Sequence, residues 1–83
     1  LENIETQAMS VYPNPNDGKY DVSLAVDDDN PIVIQIYNSN GVIIKNDWMI
    51  ELKKIDITAF SAGIYLLRII KGEYVSSEVV VKL

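Results

Sequence analysis

The feature that most constrains this chain is strict alternation of apolar and polar side chains, broken by turn signals about every ten residues. Lys19 to Val26 places Tyr20, Val22, Leu24 and Val26 on one side and Lys19, Asp21 and Ser23 on the other. Ile32 to Asn38 sets Ile32, Ile34 and Ile36 against Val33, Gln35 and Tyr37. Gly63 to Lys71 sets Tyr65, Leu67 and Ile69 against Leu66, Arg68 and Ile70, and Glu73 to Lys82 sets Val79 and Val81 against Glu78, Val80 and Lys82. A period of two belongs to half-buried antiparallel strands, and no stretch carries the 3.6-residue period of a helix. The β-branched run from Val42 to Lys45 starts a further strand that frays over residues 46–54, and a short strand is expected at Lys54 to Ile57.

The breaks have their own chemistry. Pro13-Asn14-Pro15-Asn16-Asp17-Gly18 joins two prolines of fixed φ to Asx-turn formers and a glycine free to take positive φ. Asp27-Asp28-Asp29-Asn30-Pro31 is a second break. Asn38-Ser39-Asn40-Gly41 reads as a hairpin, with left-handed positions expected at Asn40 and Gly41. Thr58 to Gly63 and Lys71-Gly72 complete the set. This spacing predicts an all-β fold, a compact antiparallel β-sandwich of about seven short strands, immunoglobulin-like. Residues 1–8 carry no pattern and read as a linker remnant before a single domain at 9–83. The opening Leu1-Glu2-Asn3, without an initiator methionine, reads as a piece of a longer protein.

Composition narrows the function. The 83 residues include no histidine and no cysteine. That removes the Ser-His-Asp relay, imidazole metal ligands, thiolate nucleophiles and disulfides. Burial of apolar surface at this size is worth about 130 kcal/mol, against about 125 kcal/mol for ordering the chain. Such a core leaves little room for a deep pocket, and the chain reads as a non-enzyme that needs no cofactor. A net charge of −5 argues against nucleic acid and against a polybasic membrane anchor. No apolar run is long enough to span a bilayer. Asp27-Asp28-Asp29-Asn30 offers oxygens to calcium, but it lacks the spacing of an EF-hand, and the expected reading is a solvated turn with no metal site. Trp48, Tyr12, Tyr20, Tyr37, Tyr65 and Tyr74 could stack on sugars, which leaves a carbohydrate-binding or adhesive β-sandwich as the alternative. Trp48 is the aromatic expected to be most exposed.

The punctuation forms an ordered series. Y-P-N-P-x-x-G-x-Y runs from Tyr12 to Tyr20, and I-Y-N-x-x-G-x-x-I from Ile36 to Ile44. Ile55-Asp56-Ile57, the G-x-Y-x-x-R motif at Gly63, Tyr65 and Arg68, and the closing Val79-Val80-Val81-Lys82 follow. Over about 75 residues this series resembles the C-terminal sorting domain (type A) of the Bacteroidetes type IX, or Por, secretion system.

That resemblance implies a seven-stranded β-sandwich that directs its parent across the outer membrane and is then cut off, leaving the cargo released or anchored at the surface. The implied partners are translocon and shuttle components and a sortase-like cysteine peptidase. The implied route is the periplasm, then the cell surface or the medium. Pro13, Asn14, Pro15 and Gly18 match the first motif, Gly41 the middle hairpin, Gly63 and Tyr65 the G-x-Y motif, and Lys82 the terminal basic residue. Asn38 stands where aspartate is frequent, Val42 where a basic residue is frequent, and Phe60-Ser61-Ala62 where leucine-proline is frequent. The motif prolines, Gly18 and Gly41 are expected to be architectural. Recognition is expected at the edge of the last strand by β-augmentation, with Arg68 and Lys82 as orienting charges and Gly63 presenting the Tyr65 strand. A hydrophobic edge would also support a homodimer.

Overall fold

The expected alternation is realised in two sheets. The computed structural model describes residues 9–25 and 30–83. The expected linker at residues 1–8 and the Asp27-Asp28-Asp29 run lie outside the described residues. Seven strands occur among the described residues: β1 (Met9–Tyr12), β2 (Lys19–Leu24), β3 (Ile32–Tyr37), β4 (Ile43–Met49), β5 (Leu52–Asp56), β6 (Gly63–Lys71) and β7 (Tyr74–Lys82). One sheet has the order β1-β2-β5 and the other β4-β3-β6-β7, with every paired neighbour antiparallel. The fold is an all-β sandwich. With the third, sixth and seventh strands together opposite the first, second and fifth, its order is immunoglobulin-like.

The inner faces are those the alternation marks in β2, β3 and β6. Tyr20, Val22 and Leu24 meet Ile32, Ile34 and Ile36 and Tyr65, Leu67 and Ile69 in one buried cluster, closed by Met49, Ile55, Ile57 and Val80. In β7 the inward residue is Val80, while Val79 is exposed. The Val79-Val80-Val81 run carries no alternation of its own, so pairing with β6 decides which face is buried. Two elements depart from expectation. β1 forms where the sequence announces only a turn motif, because Met9 and Val11 pack on the core and the strand pairs with β2. β4 continues through Asn46 to Met49 because full pairing with β3 outweighs its polar sequence.

Antiparallel pairing sends the connections alternately to two ends. The 13–18 loop, the 38–42 hairpin, the 57–62 connection and Leu83 gather at one end. Met9, the turn at 50–51 and the turn at 72–73 lie at the other.

Among the described residues, one core side chain has an unpaired polar group. The Tyr20 hydroxyl is buried without a hydrogen-bond partner, and burial pushes its pKa from 10.0 up to about 12. A folded pKa above the unfolded one means the native state holds the proton more tightly. The stability tied to Tyr20 is therefore complete below about pH 10 and is lost as pH rises toward 12. Tyr20→Phe is expected to raise stability by about 1 kcal/mol at pH 7, since it removes a desolvated hydroxyl that bonds to nothing. Its advantage should widen by about 1 kcal/mol between pH 9 and pH 11, which urea unfolding of both proteins at the two pH values measures.

Candidate functional site

The motif residues converge at the end that holds the chain terminus. After β1 the chain leaves its own sheet, crosses to the free edge of β7 and returns to β2 at Lys19. Both Tyr12-Pro13 and Asn14-Pro15 are cis peptides. The crossing segment lies along the last strand and bonds to it by two devices. The Asn14 carboxamide imitates a peptide group, its Nδ2 donating to the Val79 carbonyl at 2.7 Å and its Oδ1 accepting from the Val81 N–H at 3.0 Å. Asn16 then uses its backbone, donating its N–H to the Val81 carbonyl at 3.0 Å and accepting from the Leu83 N–H at 2.8 Å. The result is a short parallel bridge between Asn16 and Lys82.

Asn16 is the buried polar residue that holds this loop. Its Nδ2 donates to the Pro13 carbonyl at 2.9 Å, and its Oδ1 accepts from the Gly18 N–H at 2.8 Å in an Asx turn. Every polar group of its side chain and backbone is thus engaged, as a buried amide requires. Gly18 accepts the Ile57 N–H at 2.7 Å, which ties the loop to the end of β5. There the Thr58 hydroxyl, with the Thr58 N–H, donates to Asp56 Oδ1 and holds that carboxyl below the usual aspartate range. A depressed pKa contributes stability that is present above the unfolded value and lost as pH falls.

The other motifs are local locks beside this clamp. The Tyr65 hydroxyl donates back to the Ser61 carbonyl, tying the start of the sixth strand to the preceding loop as a tyrosine corner does in immunoglobulin-like sandwiches. Gly63 pairs with Lys82. In the β3–β4 hairpin, Gly41 donates to the Asn38 carbonyl, and Asn38 Oδ1 accepts from the N–H groups of Asn40 and Val42. Gly41 has φ +81°, and no other residue type has positive φ among the described residues. The hairpin therefore uses one left-handed position, not the two expected, because the Asn38 carboxamide completes the turn and a bulge in β4 at Ile44, opposite Ile36 and Tyr37, absorbs the extra residue.

Pro13, Asn14, Pro15, Gly18, Gly63, Tyr65 and Lys82 thus share one corner, with Gly41 on the neighbouring hairpin. Arg68 does not join them. It pairs with Ser77, five residues along the strand from Lys82, about 17 Å away, and it faces outward while Lys82 faces the clamp. The two cations expected to supply orienting charge therefore stand apart on different faces. The edge expected to be open is also half taken, because Asn14 and Asn16 cover it from Val79 to Leu83. Among the described residues, β7 presents free outward N–H and C=O groups at Val75 and Ser77. The aromatic side chains do not assemble into a platform: Tyr20 and Tyr65 are buried, Tyr74 packs on the core, and Tyr12 belongs to the other sheet. Trp48 is 61% exposed, but Tyr12, at 75% on the outer side of the edge strand β1, is the more exposed aromatic, contrary to expectation.

Sequence reading misses two features. One is Asn16, whose only visible sign is its place in the turn. The other is the outer face of the four-stranded sheet. Cross-strand registers line up Trp48, Val33, Ile70 and Val75 in one row, and Asn46, Gln35, Arg68 and Ser77 in the next. Tyr37, Leu66 and Val79 form a third row, with Ile64 and Val81 beyond it. The signal is present in Ile64, Leu66 and Ile70, which make β6 apolar on both sides.

A family model described as "Secretion system C-terminal sorting domain" matches residues 10–82. No match was found among curated proteins.

Proposed function

Because the chain belongs to the secretion system C-terminal sorting domains, we propose that it is the non-catalytic address of a type IX secretion cargo. It docks on shuttle and translocon components after its parent reaches the periplasm. It is then cut on its N-terminal side by a sortase-like cysteine peptidase, leaving the cargo in the medium or anchored at the cell surface. The family's role is a sorting signal in type IX secretion, and it is not an enzyme family. The observation that carries the reading is the extent of the match, which runs from β1 to the last residue of β7.

Two structural points support the finer account. The clamp joins the first motif to the last strand, so the ends of the matched region become one unit only when the sandwich is folded. Met9 enters at the end opposite that unit. A cut before Met9 would separate cargo from domain without touching a described strand.

The 83 residues fused behind a periplasmic fluorescent reporter, in a host with a working type IX system, are expected to send the reporter to the surface or the medium. Retention in the periplasm, while an established sorting domain exports the same reporter, would overturn the proposal.

A further inference from the structure

The two outer faces of the sandwich differ in chemistry. On the three-stranded sheet, Lys19 stands opposite Asp56, and Lys54 stands opposite Asp21 with Nζ 3.4 Å from Oδ1. Tyr12 and Leu52 are also exposed there, but they stand on opposite edges of the sheet with β2 between them, so the middle of this face is the solvated, charge-matched surface usual for one side of an antiparallel sheet. The four-stranded sheet instead turns Ile64, Leu66, Val75 and Val79 outward, each 38–59% exposed, beside the half-buried Tyr37. Arg68 lies among them in an open groove bounded by Tyr37, Leu66, Val75 and Val79. It is the one charged side chain at an outward strand position of this sheet among the described residues, and no carboxylate pairs with it there.

We propose that this face is a docking surface for a protein component of the secretion machinery, one that lays an apolar strip over Leu66, Val75 and Val79 and sets a carboxylate on Arg68. The proposal rests on the sorting-signal reading and adds which face is read. Covering the groove removes the guanidinium from water, which is unfavourable unless the occupant supplies an anionic acceptor. The planar fork suits a carboxylate held by two parallel bonds, so the same residue that opposes indiscriminate burial selects a matching partner. A second copy fits poorly. Two-fold stacking centred on the groove would bring two Arg68 guanidinium groups together, and with the axis elsewhere neither would find an outward strand carboxylate on the other copy. A lipid surface fits poorly too, because the Asn46 and Ser77 side chains and the Gln35 amide N–H groups would enter it beside Arg68, with only Gln35 Oε1 already bonded, to the Tyr37 hydroxyl. A net charge of −5 also opposes anionic headgroups.

The test uses the domain–reporter fusion in the type IX host. Arg68→Glu and Leu66→Lys are expected to lower export at least about tenfold, the scale of losing or reversing a buried charge contact. Ser10→Glu, on the outer face of the other sheet, should export like the unaltered fusion. Circular dichroism of each purified variant separates lost recognition from lost folding. A photo-crosslinking amino acid at position 66 gives a readout in an otherwise unaltered domain, with an adduct to a secretion-machinery protein expected during export. Folded Arg68→Glu exporting within twofold of the unaltered fusion would overturn the proposal, as would no adduct, or adducts only to a second copy or to lipid. Failure of the unaltered fusion to leave the periplasm overturns the sorting-signal reading and this inference with it, and that result is distinct from indifference to Arg68.

Discussion

Asn16→Ala is expected to lower the folding free energy by about 3 kcal/mol and to release the C-terminal strand from the first motif. The side chain is buried at 5% exposure and makes two hydrogen bonds, to the Pro13 carbonyl and from the Gly18 N–H. Alanine removes both and leaves the Gly18 N–H inside the protein without an acceptor. An orphaned buried donor costs about 1–3 kcal/mol on top of the bond itself. The backbone bonds from Asn16 to Val81 and Leu83 depend on the same loop shape, so they weaken together. A domain of this size has a net stability of about 4–12 kcal/mol, and the loss takes a large part of it. Asn14→Ala should cost less, about 1 kcal/mol, because Asn14 is exposed and water can replace its bonds to Val79 and Val81. Urea unfolding followed by circular dichroism measures both. Trp48 fluorescence is a poor signal, since that ring is already largely in water in the folded state. A loss below about 0.5 kcal/mol for Asn16→Ala would show that the clamp contributes little.

The clamp also shows where sequence reading succeeds and where it stops. The Asx turn at Asn16 and the turn at Gly41 depend on neighbours within four residues, and the residue types alone announce them. The inner faces of β2, β3 and β6 are equally legible, because burying one side of a sheet imposes a period of two. What Asn14 does depends on a strand 65 residues away, and no local pattern encodes that distance. β7 is ambiguous for the same reason. Three successive valines fit either face, and the choice rests with β6. β1 is hidden because its four residues give too little alternation to register before the prolines begin. Arg68 is legible as a surface charge, but its place as the lone outward charge between apolar rows follows from the registers of three neighbouring strands.

The match of sequence motif to tertiary packing is sharpest at Gly18, and Gly18→Ala is expected to destabilise the domain by about 3 kcal/mol. Two separate costs add. The residue has φ +112°, which L side chains rarely adopt, worth about 1 kcal/mol or more. A Cβ there would also stand 2.8 Å from Lys82 Cε, 2.9 Å from Thr58 Cγ2 and 3.0 Å from Thr58 Cα. Lys82 can swing aside, but the Thr58 backbone cannot, because the Thr58 N–H and hydroxyl are held by Asp56 and the Ile57 N–H by Gly18 itself. Relief therefore requires the 13–18 loop to lift, which strains the Asn16 bonds to the last strand. At about 5 °C per kcal/mol for a domain of this length, the melting temperature should fall by about 15 °C. Gly41→Ala is the internal comparison. Gly41 has φ +81° with nothing within 4 Å of the added carbon, so only the backbone cost applies, about 1 kcal/mol. If the two substitutions prove equally damaging, close packing against Thr58 and Lys82 is not what the first motif's glycine supplies. If Gly18→Ala is worse and adding Thr58→Ser recovers part of the loss, the clash with the Thr58 methyl accounts for that part. The rest then belongs to the Thr58 main chain and to the left-handed φ.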